Sequence, residues 1–248
     1  MDVTRRQLEL DLTHWKFKAN MRSALLESLA DTVAALRSDA TVRVAIDGVD
    51  GASKTFFADE LATLVQSRGR AVIRASADHF HNPREIRYRR GRSSPEGYYH
   101  DSYNYPELYK RLLIPLASGG SGLYRSAAFD VDADKVVYAP EERVLPDSIL
   151  IFDGMFLHRP ELRAVWDLSL FLAVPFSISI PRGASRGPGW GSPDPAAESN
   201  RRYVEGQKLY LNECRPDSLA TVVVDNSDLA VPLIVHGREV VGRPSGRA

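Results

Sequence analysis

The stretch VRVAIDGVDGASKT, Val42 to Thr55, decides the fold. Thr41 to Ile46 is a short β-branched, apolar run ending in Asp-Gly, and the residues after Thr55 place Phe57, Leu61, Leu64 and Val65 on one helical face. Strand, glycine turn and helix form the context in which GVDGASKT, Gly48 to Thr55, reads as a phosphate-binding loop. Such a turn aims backbone N–H groups inward, and the helix N-terminus behind it adds partial positive charge, so both hold a polyphosphate. The residues assigned to the nucleotide here are Gly48, Asp50, Gly51, Ala52, Ser53, Lys54 and Thr55. Lys54 reaches the β- and γ-phosphates as a point charge, and the Thr55 hydroxyl ligates Mg²⁺. Ser53 stands where the motif GxxxxGK[ST] has its second glycine, and a side chain there restricts the backbone or crowds the phosphate. The alternative reading is an ordinary glycine turn between strand and helix.

Outward from this segment, residues 20–37 space Leu26, Leu29, Val33 and Leu36 as an amphipathic helix. Gly69 ends the helix that follows the loop. Ala71–Ala75, Ser148–Phe152, Ser169–Val174 and Thr221–Asp225 are compact apolar runs. They lack in/out alternation and are separated by helical patterns, so a parallel sheet covered by helices on both faces is expected. Pro181 to Pro195 carries four glycines and four prolines, a composition that predicts a mobile loop without helix or central strand. A helical segment with Tyr203, Gln207 and Tyr210 follows, and PLIVHGREVVG near the end suggests a small hairpin through His236-Gly237. The expected organisation is a helical extension over 1–40, one α/β domain over 41–230 and a tail over 231–248.

The chain has 248 residues with 44% hydrophobic and 26% charged content, which excludes a wholly disordered or fibrous protein. Lys+Arg and Asp+Glu both number 32, so no global field favours nucleic acid or an anionic membrane. The single Cys214 cannot form an internal disulfide, and a reducing cytoplasm fits it. The N-terminal MDVTRRQLELDL lacks the apolar stretch of a signal peptide, and Leu168 to Ile180 is too short and broken to span a bilayer.

Several motifs together resemble the uridine kinase-like P-loop kinases, especially the divergent branch found in actinobacteria. They are VRVAIDGVDGASKT, ASADHFHNP (75–83), RYRRGRSSPEGYYHDSY (87–103), ILIFDGMFLHRPELR (149–163), RRYVEGQKLYL (201–211) and VVVDNSD (222–228). The similarity runs from about Val42 to Asn226. It implies a five-stranded parallel sheet with flanking helices and a mobile lid, and ATP-dependent transfer to a hydroxyl of a nucleoside-like acceptor.

Asp78 lies just beyond the second strand, at the carboxyl edge where open α/β folds bind ligands. The resemblance makes it the acid that accepts the acceptor proton and approaches Mg²⁺; a turn-capping carboxylate is the plain alternative. Asp153, after ILIF, is the Walker B-like candidate for Mg²⁺, where uridine kinases usually carry glutamate. Arg182 and Arg186 look like lid arginines that close over ATP, with Arg201 and Arg202 as further phosphate candidates. Arg84, Arg87, Arg89, Arg90 and Arg92 are expected mostly on a solvated face, with one or two toward the acceptor. His79 and His81 read as acceptor-pocket or structural residues. The family's Tyr/His pair for the acceptor is not placed by sequence. Phe129-Asp130, Asp101 with Asn104, and the planar surfaces of Tyr98, Tyr99, Tyr103 and Tyr105 are the regions to inspect.

The expected activity is therefore a small-molecule kinase using ATP and Mg²⁺, with uridine or cytidine as leading acceptor and no nucleic-acid or membrane partner. A homo-oligomer is compatible with it. A same-fold kinase of another hydroxyl compound, and an ATP-binding regulatory protein with impaired transfer, are the alternatives.

Overall fold

The computed structural model describes residues 21–37 and 40–237. The charged N-terminal stretch and the second half of the expected tail hairpin lie outside the described residues. Helix α1 (21–35) buries Leu26, Leu29, Ala30 and Val33, the face its spacing predicted. Strand β1 (Val42–Gly48) is followed by α2 (Lys54–Ser67), β2 (Val72–Ser76), β3 (Ile149–Gly154), β4 (Leu168–Ala173) and β5 (Val222–Asp225). All five expected strands are present, within one or two residues of the apolar runs that announced them.

The sheet has six strands, in the order β6-β5-β4-β1-β3-β2, with β6 spanning Leu233–Gly237. The first five are parallel; β6 pairs antiparallel with β5 and shifts register between Ile234 and His236. This corrects the five-stranded expectation. The first arm of the expected tail hairpin is this strand, but it pairs with β5 and so joins the main sheet, a long-range contact that the local pattern does not announce.

The central strands are apolar on both faces because both are covered. On one face Val44, Ile46, Ile149, Ile151 and Leu170 pack with α1 and α2 through Leu29, Val33, Phe57 and Leu61. On the other, Ala45, Leu150 and Phe152 pack with Phe80, Tyr98, Phe156 and Tyr210. The alternation along β1 and β3 is the period-2 geometry of a strand, with both sides dry. β1 crosses to the β2 edge while β3 crosses to β4, so their carboxyl ends flank the crevice where such sheets bind ligands.

The segment read as a structureless loop is partly helical. Helix α4 (Phe176–Ala184) contains Pro181 and Gly183, and short 3₁₀ turns follow at Pro188–Trp190 and Glu198–Asn200. Close packing outweighs the propensity penalty of Pro181. Gly51 takes φ 72°, and a Cβ there would lie 2.0 Å from the Ser179 carbonyl oxygen, so the missing side chain lets α4 rest on the loop after β1. Helix α3 (Pro95–Asp101) and helix α5 (Arg201–Cys214) complete the wall of the crevice. Tyr203, Gln207 and Tyr210 lie on α5 as expected.

Candidate active site

Between β1 and α2 the chain folds as its glycines dictate, and Ser53 complies. Its φ is 66° and ψ 33°, the left-handed conformation a glycine would adopt freely. The side chain therefore alters the energy of the loop without altering its path. The Phe57 N–H closes the first helical bond onto the Ser53 carbonyl at 3.1 Å, and the amides ahead of it, as at any helix start, have no partner within the helix. A left-handed residue with a Cβ costs about 1–2 kcal/mol. Ser53→Gly is accordingly expected to raise unfolding stability by about 1 kcal/mol, read as a shifted midpoint in chemical denaturation; a lower midpoint would overturn this account.

Lys54 Nζ donates to the Val49 carbonyl at 2.9 Å, so its ammonium lies across the mouth of the loop. The Thr55 hydroxyl donates to Asp153 Oδ2 at 2.8 Å. Register puts Asp153 beside Ile46 and Ser76, at the carboxyl ends of β1 and β2. The Asp153 carboxylate is 1% exposed, and its Oδ1 receives Arg74 Nη2 at 2.9 Å. Arg74 thus neutralises a buried charge that would otherwise be costly. Arg74 escaped the sequence reading, because an arginine inside a strand gives no sign of which carboxylate it meets.

The adjoining hydroxyl and carboxylate are hard oxygen donors that fit Mg²⁺, an ion that usually keeps waters and phosphate oxygens as further ligands. Among the described residues no cluster of three or more His, Cys, Asp or Glu forms a cation cage.

Beside the loop lies a cavity of about 780 Å³. Asp50, Asp78, His81, Tyr98, Tyr103 and Trp190 are among its lining residues. Asp78 sits in the 3₁₀ turn Ala77–Phe80 that follows β2, with its N–H on Ser76 Oγ at 3.3 Å and Tyr103 OH 3.5 Å from its Oδ1. His81 and Tyr103 form an isolated β-bridge, and their ring centroids are 4.6 Å apart. This tyrosine–histidine pair was not visible in sequence, since the partners are separated by a whole helix. Burial lowers the proton affinity of His81 and outweighs its contact with the Asp78 carbonyl. His79 is exposed and does not line the cavity.

Asp50 belongs to the nucleotide loop by sequence, yet its side chain lines the cavity. Surrounding protein pushes its carboxyl above the ordinary range, against the opposing pull of Lys54 and the Tyr98 hydrogen bond. Gln207 and Tyr98 hold it, from α5 and α3.

Of the expected lid arginines, Arg182 is a strap. It donates to the carbonyls of Gly51 at 3.3 Å, Asn226 at 3.2 Å and Ser227 at 2.7 Å. Asn226 in turn donates to the Ala52 carbonyl at 2.8 Å, and its buried Oδ1 has no partner. Together they tie the phosphate loop to the end of β5. Arg186 stacks over Trp190 at 4.8 Å from the ring centroid. Arg202 is buried, donates to the carbonyls of Arg87 and Ser94, and lies over Tyr88 and Tyr98, whereas Arg201 is exposed and pairs with Glu198.

The acids proposed for the acceptor have other partners. Asp101 is 2% exposed and clamped by Arg89 at 2.5 Å and Arg90 at 2.8 Å. Burial raises its carboxyl, but the two guanidiniums outweigh that and hold it below the ordinary value. Asn104 caps a helical turn by accepting from the Glu107 N–H, and Asp130 accepts from the amides of Asp132 and Ala133. Tyr98 and Tyr103 reach the cavity, while Tyr99 and Tyr105 pack behind it against Arg159. The arginine run is more structured than expected: besides the Asp101 clamp, Arg87 pairs with Asp134 and lines the cavity, and Arg92 covers Tyr88.

Beneath the loop, Asp47 accepts from the Gly48 N–H at 2.7 Å and from the Tyr210 hydroxyl. His158 Nδ1 stands 2.7 Å from Asp47 Oδ2, the oxygen that the Tyr210 hydroxyl reaches, and its Nε2 is 3.0 Å from Ser169 Oγ. This knot is buried and fastens α5 to the floor of the site.

A similar arrangement of strands and loop occurs in solved structures. A protein described as a possible uridine kinase from Bacillus stearothermophilus superposes with a TM-score of 0.61 at 23% identity, covering 80% of this chain and 96% of that one. The chain is built on the uridine kinase-like P-loop kinase fold. Other structures with this kinase fold are D-glycerate 3-kinase from Cryptococcus neoformans (TM-score 0.52, 10% identity, 90% of this chain and 98% of that one) and phosphoribulokinase from Rhodobacter spheroides (0.51, 13%, 76% and 71%). No family model matches the chain, and no curated protein matches it. On this kinase fold the sequence-identified Lys54, Thr55, Asp153 and Asp78 converge on one edge, and no described helix is long and apolar enough to cross a membrane.

Proposed function

We propose that the chain is a Mg·ATP-dependent kinase that transfers the γ-phosphoryl group to a hydroxyl of a small nucleoside-like acceptor, with uridine or cytidine foremost. The observation that carries this reading is that Asp78 lines an aromatic-walled cavity together with Asp50 of the loop that carries Lys54 and Thr55. Phosphoryl transfer has a loose transition state, so positioning and charge do most of the work.

In this reading Lys54 exchanges the Val49 carbonyl for phosphate oxygens, and the loop amides hold the remaining phosphate charge. Thr55 and Asp153 hold Mg²⁺, which when bound neutralises charge on the phosphate oxygens. Asp78 orients the acceptor hydroxyl and takes its proton as the new oxygen–phosphorus bond forms and the bond to ADP breaks. The His81–Tyr103 pair and Trp190 offer flat surfaces for a base. The left-handed backbone at Ser53 preserves the loop's path, which weighs against the regulatory, non-transferring alternative.

A second reading, a sugar or polyol kinase, is favoured by fold neighbours named for ribulose-phosphate and glycerate chemistry. Acceptor-dependent ADP release with uridine, cytidine, D-ribose and D-glycerate separates the two. The largest kcat/KM is expected with a pyrimidine nucleoside. Turnover only with non-nucleosides favours the second reading, and ATP binding without ADP release from any acceptor overturns both.

A further inference from the structure

A carboxylate in the middle of a phosphate-binding loop is electrostatically adverse to a polyphosphate. Asp50 is such a group, and its surroundings turn it to another use. Its N–H is taken by Gln207 Oε1 at 2.6 Å, and its Oδ2 accepts from Tyr98 OH at 3.0 Å and Gln207 Nε2 at 3.1 Å. Both donors fall on one oxygen. No described residue donates to Oδ1, although a carboxylate accepts on both oxygens. Tyr98 and Gln207 come from two different helices, α3 and α5, so the carboxylate is held from two sides while it lines the cavity.

Asp78 lines the same cavity, and the two carboxylates feel each other's charge. Two acceptor-only groups facing one space call for a ligand with two donors. A molecule with a single hydroxyl would satisfy one and leave the other unpaired, which is costly in a partly dry site.

We propose that Asp50 is a specificity residue for the acceptor: its free carboxylate oxygen receives a hydroxyl other than the one presented to Asp78, so the cavity selects vicinal diols and polyols. This rests on the kinase reading for the identity of the Asp78 hydroxyl, but the binding selectivity is independent of turnover. The ribose cis-diol of a nucleoside and the chain of a sugar both meet the requirement.

The test uses the full chain with Mg²⁺ and a nonhydrolysable ATP analogue, and measures by calorimetry two matched pairs: uridine with 2′-deoxyuridine, and D-ribose with 2-deoxy-D-ribose. Wild type is expected to prefer the fully hydroxylated member of at least one pair by about tenfold or more, since a site built around a hydroxyl rejects the analogue lacking it. Asp50→Ala erases that preference by weakening the hydroxylated member alone, and Asp50→Asn, which keeps an accepting oxygen, retains part of it. Affinity for the ATP analogue does not fall in either variant, and removal of an adverse negative charge raises it if anything. The proposal is overturned if wild type shows no preference in either pair, if Asp50→Ala keeps the preference, or if the ATP analogue loses affinity in parallel with the acceptor. The wild-type comparison needs no variant, so a misfolded Asp50→Ala leaves the proposal falsifiable. Selective binding without ADP release, measured alongside with ATP, would overturn the kinase reading and leave the assignment of Asp50 standing.

Discussion

Replacing Lys54 by alanine is expected to lower kcat by about 10²–10³-fold, the usual consequence of removing one preorganised charge from a transition state. The expectation follows from where the ammonium is held. Lys54 Nζ is anchored on the Val49 carbonyl at 2.9 Å, within the loop itself, so it is already placed before any ligand arrives. Arg182 cannot take over, because its guanidinium is committed to three carbonyls that join the loop to the end of β5. Lysine acts as a compact point charge on a flexible stem, so Lys54→Arg is expected to restore little. Steady-state ADP release against ATP concentration provides the measurement. A variant within tenfold of wild type would remove Lys54 from the mechanism.

Asp78→Asn is expected to lower kcat by about 10²-fold or more, the lower end of what a positioned general base contributes. The lower end applies because phosphoryl transfer places little demand on proton removal in its transition state. Asparagine keeps the shape, leaves the residue 78 N–H on Ser76 Oγ and can still accept from the Tyr103 hydroxyl, so the cavity should keep its form. The signature is therefore a fall in kcat with acceptor and ATP KM changed by only a few-fold. A raised acceptor KM with unchanged kcat would make Asp78 a binding group and leave the base to be found elsewhere.

The strand, glycine turn and helix around Gly48–Thr55 and the five parallel strands were legible because each depends on neighbours in sequence. Strands buried on both faces must be apolar throughout, and a loop between strand and helix must carry its glycines and its lysine in order. What escaped was decided by contacts between distant segments. Asp101 and Asp50 are both acids near aromatic residues, yet one is neutralised by two arginines and the other lines a cavity. Nothing local distinguishes them. Pro181 breaks the expectation of a loop because the bare backbone of Gly51 allows α4 to settle against it, a compensation visible only once both are in place. For β6 the local pattern announced an extended arm but not its partner, which is β5 at the edge of the main sheet.

The Asp47–His158–Ser169 alignment also bears on how such geometry should be read. An acid, an imidazole and an alcohol in hydrogen-bonding sequence are the ingredients of an esterase or a peptidase. Here Asp47 is 0% exposed, His158 2% and Ser169 6%, and the Ser169 oxygen also receives the Thr221 N–H, so no scissile carbonyl can come alongside. A constellation that hydrolyses bonds when it opens on solvent serves, when sealed, as a polar rivet beneath the loop that follows β1.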